Sequence, residues 1–292
     1  MSVSICIFAH NEEHLLPQCV GALDAAADRD DFQAHILVNG CTDETAQVAK
    51  SLAAADPRLT IHELPIGDKA NAWNEYVHRI AGAAETHVFV DGDIRPSAGA
   101  IASLAMALRQ SPNIYAAAAL PAAGRSRRSW ASRLFLNHYL SGNLYALSAR
   151  AVDEFRARAL RLPFGAKGED GIITYLLLTD LNGGKDDSHT ERIVIADNAT
   201  FEFDSLSLNI SDARIYHRRL MRYSERHFQK QILYRLLKER SAGAMPENIY
   251  DIYTKDRLAA LKPRIDPVNY WYDATTLRRL RSGVDTPRAL AV

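Results

Sequence analysis

The first 120 residues of this chain alternate between short β-rich runs and segments of helical spacing, and no other feature restricts the fold as much. The β-rich runs cover 3–9, 35–39, 60–64, 86–90 and 114–120, while 12–27, 43–55, 69–83 and 98–109 carry helical periodicity. Such alternation is accommodated when the strands lie side by side, mostly parallel, and the connecting helices cover both faces. Thr42-Asp43-Glu44 and Gly67-Asp68-Lys69 supply helix starts, and Pro57, Pro65, Pro96 and Pro112 all fall at breaks. The expected fold class is therefore α/β, with a mostly parallel central sheet. Further on, the basic stretch 124–129 reads as a loop, 142–148 as a strand, 169–179 as a helix, 180–190 as a hydrophilic turn and 192–196 as a strand. After about residue 210 the chain becomes helical and basic.

In an open α/β sheet, ligands sit beyond the carboxyl ends of the strands. The fourth run, His87-Val88-Phe89-Val90, ends in Asp91-Gly92-Asp93, which places two carboxylates on that rim. Hard oxygen donors at such a spot suit Mg²⁺ or Mn²⁺, ions that bridge to phosphate oxygens. An Asp-Gly turn is the plainer reading of the same residues. The first run ends in Ala9-His10-Asn11-Glu12-Glu13, the second in Val38-Asn39-Gly40-Cys41-Thr42-Asp43, and the third leads into Gly67-Asp68-Lys69-Ala70-Asn71. Gly142-Asn143 and Gly168-Glu169-Asp170 follow later. No GxxxxGK[ST] and no GxGxxG follows the first strand, so phosphates must be handled by a metal, a few basic groups and backbone amides.

Five of these motifs, in this order and spacing, resemble glycosyltransferase family 2, whose GT-A-fold enzymes use nucleotide-diphosphate sugars. The resemblance covers roughly residues 1–205, leaving 206–292 as a mainly helical, basic extension. It implies that Ala9, His10, Glu12 and Asn39 surround the nucleobase, with Lys69 near the base or the diphosphate. It also implies that Asp91 and Gly92 face the ribose side and that Asp93 binds Mn²⁺ or Mg²⁺. Asp170 matches the base that deprotonates the acceptor hydroxyl in an inverting displacement, supported by Glu169, Gly142 and Asn143. Three positions depart from the family pattern: Phe8 replaces a frequent proline, His10 an aromatic tyrosine and Val38 an acid. Asn39 then remains as the polar base reader, and its amide suits uracil, thymine or guanine. The expected donor is a UDP-, GDP- or dTDP-linked sugar, and the acceptor a sugar, a lipid-linked molecule or a small molecule.

Between residues 214 and 240, nine Arg and Lys residues stand against Glu225 and Glu239, in a chain whose charges balance overall at 35 each. Arg218, Arg222, Arg226 and Lys230 recur every four residues and share one helix face. A solvated face, contact with anionic lipid or a lipid-diphosphate acceptor, and nucleic-acid binding all fit a basic helix; no nucleic-acid module accompanies it, which disfavours the last. The segment 219–223 is similar to a Q-x-x-R-W element of processive family members, which points Arg219 and Arg222 at the diphosphate.

Three cysteines without a CxxC fit a reducing compartment, and Met1-Ser2-Val3-Ser4-Ile5 lacks a secretory pattern. The expected location is the cytoplasm, extending at most to the inner face of the plasma membrane. Two other functional classes compete. A nucleotidyltransferase calls for a basic glycine-rich loop where His10-Asn11-Glu12-Glu13 is acidic. A non-catalytic nucleotide-binding module is disfavoured by the joint presence of Asp91, Asp93 and Asp170.

Overall fold

The structure, a computed structural model, describes residues 2–28, 31–204 and 210–283. The expected boundary between 205 and 206 lies outside the described residues. Among them, eight strands form one sheet: β1 (Val3–Ala9), β2 (Phe32–Asn39), β3 (Leu59–Leu64), β4 (Thr86–Asp91), β5 (Ile94–Pro96), β6 (Ala116–Pro121), β7 (Leu144–Ser148) and β8 (Ile193–Phe203). Their order is β3-β2-β1-β4-β7-β6-β8-β5, and only β7 and β5 run against the rest. The helices are α1 (Leu16–Gly21), α2 (Leu23–Ala27), α3 (Thr45–Ala55), α4 (Lys69–Glu75), α5 (Ala100–Leu108), α6 (Arg127–Asn137), α7 (Ala149–Ala157), α8 (Glu169–Leu178), α9 (Ile210–Arg240), α10 (Lys255–Ala260) and α11 (Pro267–Arg281). The mostly parallel sheet and the helical extension agree with the expectation from sequence.

Two residues, Gly92 and Asp93, separate β4 from β5, yet β5 pairs with β8 at the far end of the sheet. A link of that length spans at most about 10 Å between the strand ends. The sheet must therefore curl until its last strand returns to the end of β4.

The period-two pattern of the strands sorts their side chains into two cores. Cys6, Phe8, Phe89, Tyr145 and Leu147 face the side covered by α4, α7, α8 and α9. Ile5, Ile7, Val88, Val90 and Leu144 face the side covered by α1, α2, α3 and α5. On the first side Phe89 stacks with Phe8 of β1 at 6.2 Å and with Tyr145 of β7 at 4.8 Å, so one aromatic row crosses three adjacent strands beneath the rim. Helix α9 belongs to this core, burying Phe228, Ile232, Leu233 and Leu237. Asp273 of α11 is fully buried, accepts hydrogen bonds from Ser224 of α9 (2.6 Å) and binds the Arg264 guanidinium at 2.8 Å, which fastens α11 to α9. Among the described residues no helix is long and apolar enough to cross a membrane.

Several elements differ from the sequence reading. The expected helix over 12–27 is two short helices, the first opening on a proline that ends the preceding turn. The helix expected to run to residue 83 leaves the α form at Glu75 and continues as a wider turn over Tyr76–Ile80. The basic stretch 124–129 is not all loop: α6 begins at Arg127. Strand β8 is twice the length expected, and β5 and α7 had no sequence counterpart.

His87 of β4 is buried and hydrogen-bonds Tyr76 Oη (3.1 Å), which in turn bonds Ser4 Oγ (2.7 Å). Burial, with the nearby Arg156 charge, pulls its imidazole down to about 4. A base neutral in the fold and ordinary when unfolded contributes stability that is complete above about pH 6.5 and is lost as pH falls toward 4. Unfolding free energies from urea titrations should therefore fall by up to about 3 kcal/mol between pH 7 and pH 4 through this group, and His87→Gln should flatten that slope.

Candidate active site

The site lies on the rim where β1, β2 and β4 end, opposite the first turn of α8. Hydrogen bonds lace the β1 and β2 loops together. His10 Nδ1 bonds the Asn39 carbonyl at 2.6 Å, Asn11 Oδ1 accepts from Thr42 N at 2.8 Å, and Glu12 N donates to Thr45 Oγ1 at 2.7 Å. His10 is exposed and presents its ring to solvent beside Gly67. Ala9 is buried at the end of β1, and its carbonyl accepts from Cys41 Sγ at 3.4 Å. Asn39 is also buried, with its side-chain oxygen accepting from Asp68 N at 3.1 Å.

Asp68 caps α4 and clamps the approach to α8. One carboxylate oxygen accepts from Asn71 N (2.7 Å), and the other reaches across the chain to Gly165 N (2.8 Å). Asn74 adds a double hydrogen bond to the backbone of Leu162, 2.8 Å in each direction. The loop preceding Gly168-Glu169-Asp170 is thus held by α4, although about a hundred residues separate the two in sequence.

Lys69 is the centre of the arrangement. Its ammonium has three donors, and all are used: Asp91 Oδ1 at 2.5 Å, Glu169 Oε1 at 2.8 Å and the Gly142 carbonyl at 2.9 Å. It also stands 5.2 Å above the Phe8 ring. Burial alone would discharge it, but Asp91 and Glu169 outweigh that and hold its ionisation above the ordinary lysine range. Asn143 fixes the other side of Asp91, donating Nδ2 to Oδ2 at 3.2 Å while its carbonyl accepts from Asp91 N at 2.9 Å. Gly92 N donates to the Phe8 carbonyl at 2.8 Å, which seats the turn against β1.

Acids on the rim are raised nonetheless. Burial, then Asp93, Asp91 and Asp43, push the Glu12 carboxyl up to about 8. Burial and Asp93 also raise Asp91, against the pull of Lys69, to about 6. Asp93 Oδ1 is buried without a hydrogen-bond partner among the described residues. An orphaned carboxylate oxygen in a negative pocket fits a divalent cation. Among the described residues, no group of three or more His, Cys, Asp or Glu side chains is arranged to hold a metal alone. A cation there needs donors from outside the protein, as Mg²⁺ does when substrate phosphates supply part of its shell.

Across the site, Asp170 lies beside Gly142 and accepts from Arg226 Nη2 of α9 at 2.7 Å. Its carboxyl would rise through burial, but Arg226, Lys230 and Lys69 hold it below the usual carboxylate range. Arg226 packs over Gly168, whose φ is +81° and where a Cβ would meet the guanidinium at 2.1 Å. Among the described residues no hydrogen bond or ion pair links Arg219 or Arg222 to the carboxylates; Arg219 is half-buried and Arg222 exposed. In the sequence Arg226 and Lys230 lie on the basic face with nothing to link them to Asp170. The glycines at 168 and 171, which leave the first turn of α8 bare for α9, were the available signal.

Residues 4–162 match the family model described as "Glycosyl transferase family 2". A search of curated protein sequences gives no match. Among solved structures, the chain resembles the mannosyltransferase PcManGT from Pyrobaculum calidifontis in complex with GDP-Man and Mn²⁺ (TM-score 0.59, 17% identity, 97% of this chain and 85% of that one). It also resembles glucosyl-3-phosphoglycerate synthase from Mycobacterium tuberculosis with Mn²⁺ and UDP-Glc (TM-score 0.51, 20% identity, 77% and 78%). S. aureus TarS aligns with TM-score 0.52 at 12% identity over 97% of this chain and 55% of that one.

Replacing the central ammonium tests the arrangement. Lys69→Met leaves Asp91 and Glu169 facing each other without a counter-charge, and breaking a buried pair in this way costs about 3–5 kcal/mol. A lowered urea midpoint at pH 7.5 that partly recovers near pH 5, where the two acids regain protons, is the expected result. An unchanged midpoint would show that the ammonium is not needed to hold them.

Proposed function

The chain belongs to glycosyl transferase family 2, and from that premise we propose that it is a metal-dependent, inverting enzyme that moves a sugar from a nucleotide-diphosphate donor to an acceptor hydroxyl. One observation carries the reading: the carboxylates of the β4 end and of the first turn of α8, far apart in sequence, converge on the Lys69 ammonium. The donor occupies the rim formed by the β1, β2 and β4 ends, with the base near His10, Glu12 and Asn39 and the ribose near Asp91. Lys69 acts through Asp91 and Glu169, because its three donors are already committed.

Asp93 holds Mn²⁺ or Mg²⁺, which would neutralise the charge gathering on the departing nucleoside diphosphate. Asp170, ionised at neutral pH, takes the proton of the acceptor hydroxyl as that oxygen attacks the anomeric carbon. Glu169 stays fixed on Lys69, Asn143 on Asp91, and the Gly142 carbonyl on the ammonium. Arg219 and Arg222 stand on the same helix as Arg226 and steer the anionic donor toward the rim. The catalytic unit is 1–205, and 206–292 completes its acceptor side through α9. The donor is UDP-, GDP- or dTDP-linked, and assembly of a bacterial surface glycan or glycolipid is the setting that suits these parts.

Thermal stabilisation by UDP, GDP and dTDP, each with and without Mn²⁺, tests the donor side, since a ligand of the folded state raises stability with occupancy. One nucleotide should give a metal-dependent shift that Asp93→Asn removes. Asp170→Asn should keep that shift while lowering turnover by about 10²–10⁴-fold; full turnover in this variant would refute the base assignment.

Contact with an anionic membrane is a second part of the reading. The first half of α9 exposes Ile215, Tyr216 and Tyr223 among Arg214, Arg218 and Arg222, and Tyr270 and Trp271 of α11 are exposed as well. Aromatic and basic groups of this kind suit a headgroup layer. The protein should co-float with phosphatidylglycerol vesicles at low salt and not with phosphatidylcholine alone; equal recovery with both would remove this part.

A further inference from the structure

Helix α9 brings a second cation to the first turn of α8. Lys230, one turn beyond Arg226, turns its ammonium against the backbone, so close that a Cβ on Gly171 would sit 2.4 Å from Nζ. A surface lysine ordinarily buries its stem and keeps its charged end in water. Here the charge is half-buried beside another cation and the Gly171 backbone, with the Tyr234 ring centroid 5.9 Å away. Arg226 has its counter-charge in Asp170 at 2.7 Å, and Glu169 is taken by Lys69 at 2.8 Å. No carboxylate lies within ion-pair distance of Lys230 among the described residues. Burial and the neighbouring Arg226 depress its ionisation to about 8, against the opposing pull of Asp170 and Glu169.

Other observations locate and secure this ammonium. Gln229 accepts from Lys167 N at 2.7 Å and Tyr234 donates to the Gly171 carbonyl at 2.7 Å, so both sides of Lys230 on α9 are pinned to the α8 start. The position is therefore built into the packing. It also lies beside Asp170, the carboxylate that faces the acceptor. Exposed Arg222 and Arg218 continue the same helix face outward as an approach for an anion.

We propose that Lys230, with Arg226 beside it, forms a subsite for a phosphate group carried by the acceptor. The inference rests on Asp170 marking the acceptor side, as in the function proposed above. A neutral hydroxyl acceptor leaves the Lys230 ammonium without a direct anionic partner. A phosphate monoester supplies that partner and holds the attacking hydroxyl at a fixed distance from Asp170. The phosphate belongs either to a soluble metabolite-sized acceptor or to a lipid headgroup, and the recognition chemistry is the same for both.

Calorimetric titration of the full chain, with Mn²⁺ and each of UDP, GDP and dTDP present, tests this. Glycerol 1-phosphate is the probe and glycerol the control. The phosphate monoester should bind more tightly than glycerol, Lys230→Gln should weaken it at least about tenfold, and Lys230→Arg should restore most of the loss. Sedimentation with phosphatidic acid vesicles against phosphatidylcholine vesicles, on the same variants, identifies a lipid source if the Lys230-dependent binding appears there instead. Phosphate binding no better than glycerol in solution and no Lys230-dependent binding to phosphatidic acid, or equal binding by wild type and Lys230→Gln, would overturn the proposal. Nucleotide binding in the same samples separates the two failures. If it is retained while phosphate binding is absent, only this subsite fails; if it is lost in the wild type, the donor-side reading fails.

Discussion

The site depends on one ammonium group in a poorly solvated place. Asp91 ends a central strand, Glu169 opens a helix some eighty residues later, and Gly142 belongs to the segment entering β7. Mutual repulsion among the acids would drive these segments apart, and burial would favour their protonation. Lys69 reverses both tendencies at once because an ammonium offers three donors in three directions. A guanidinium's planar fork could not serve three separately oriented acceptors in the same way. The aromatic row of Phe8, Phe89 and Tyr145 lies beneath it and keeps water from that side.

The rim at the ends of β1, β2 and β4 was legible in the sequence because its causes are local. Parallel strands buried on both faces give continuous apolar runs, and the loops that follow hold their polar residues at fixed offsets. Asp91 and Asp93 stand at such an offset, Lys69 and the Glu169-Asp170 pair were marked by the resemblance to the family, and the structure brings them to one place. Strand β5 was hidden for a physical reason: three residues carry no periodicity, and Pro96 reads as a break although an edge strand tolerates it. The basic start of α6 was masked by charge, which says little about backbone conformation in an exposed helix.

The acceptor half was harder to read. Nine basic residues on one stretch look interchangeable in sequence, and the similarity of 219–223 to a known element drew attention to Arg219 and Arg222. Which cations reach Asp170 depends on the register of α9 against α8, and Gly168, Gly171 and the buried Phe228 and Ile232 set that register. The family match ends at residue 162, before Asp170 and α9. The β1, β2 and β4 rim thus lies within the matched part of the chain, and Asp170 and α9 lie beyond it.

The two-residue link between β4 and β5 has a mechanical consequence. Because β5 pairs with β8 at the other end of the strand order, Gly92-Asp93 works like the clasp of a bracelet, joining the middle of the sheet to its margin through covalent bonds. Asp93 cannot swing outward unless the Ile94–Phe203 and Pro96–Phe201 registers open with it. The backbone that carries Asp93 is therefore anchored on both sides by paired strands.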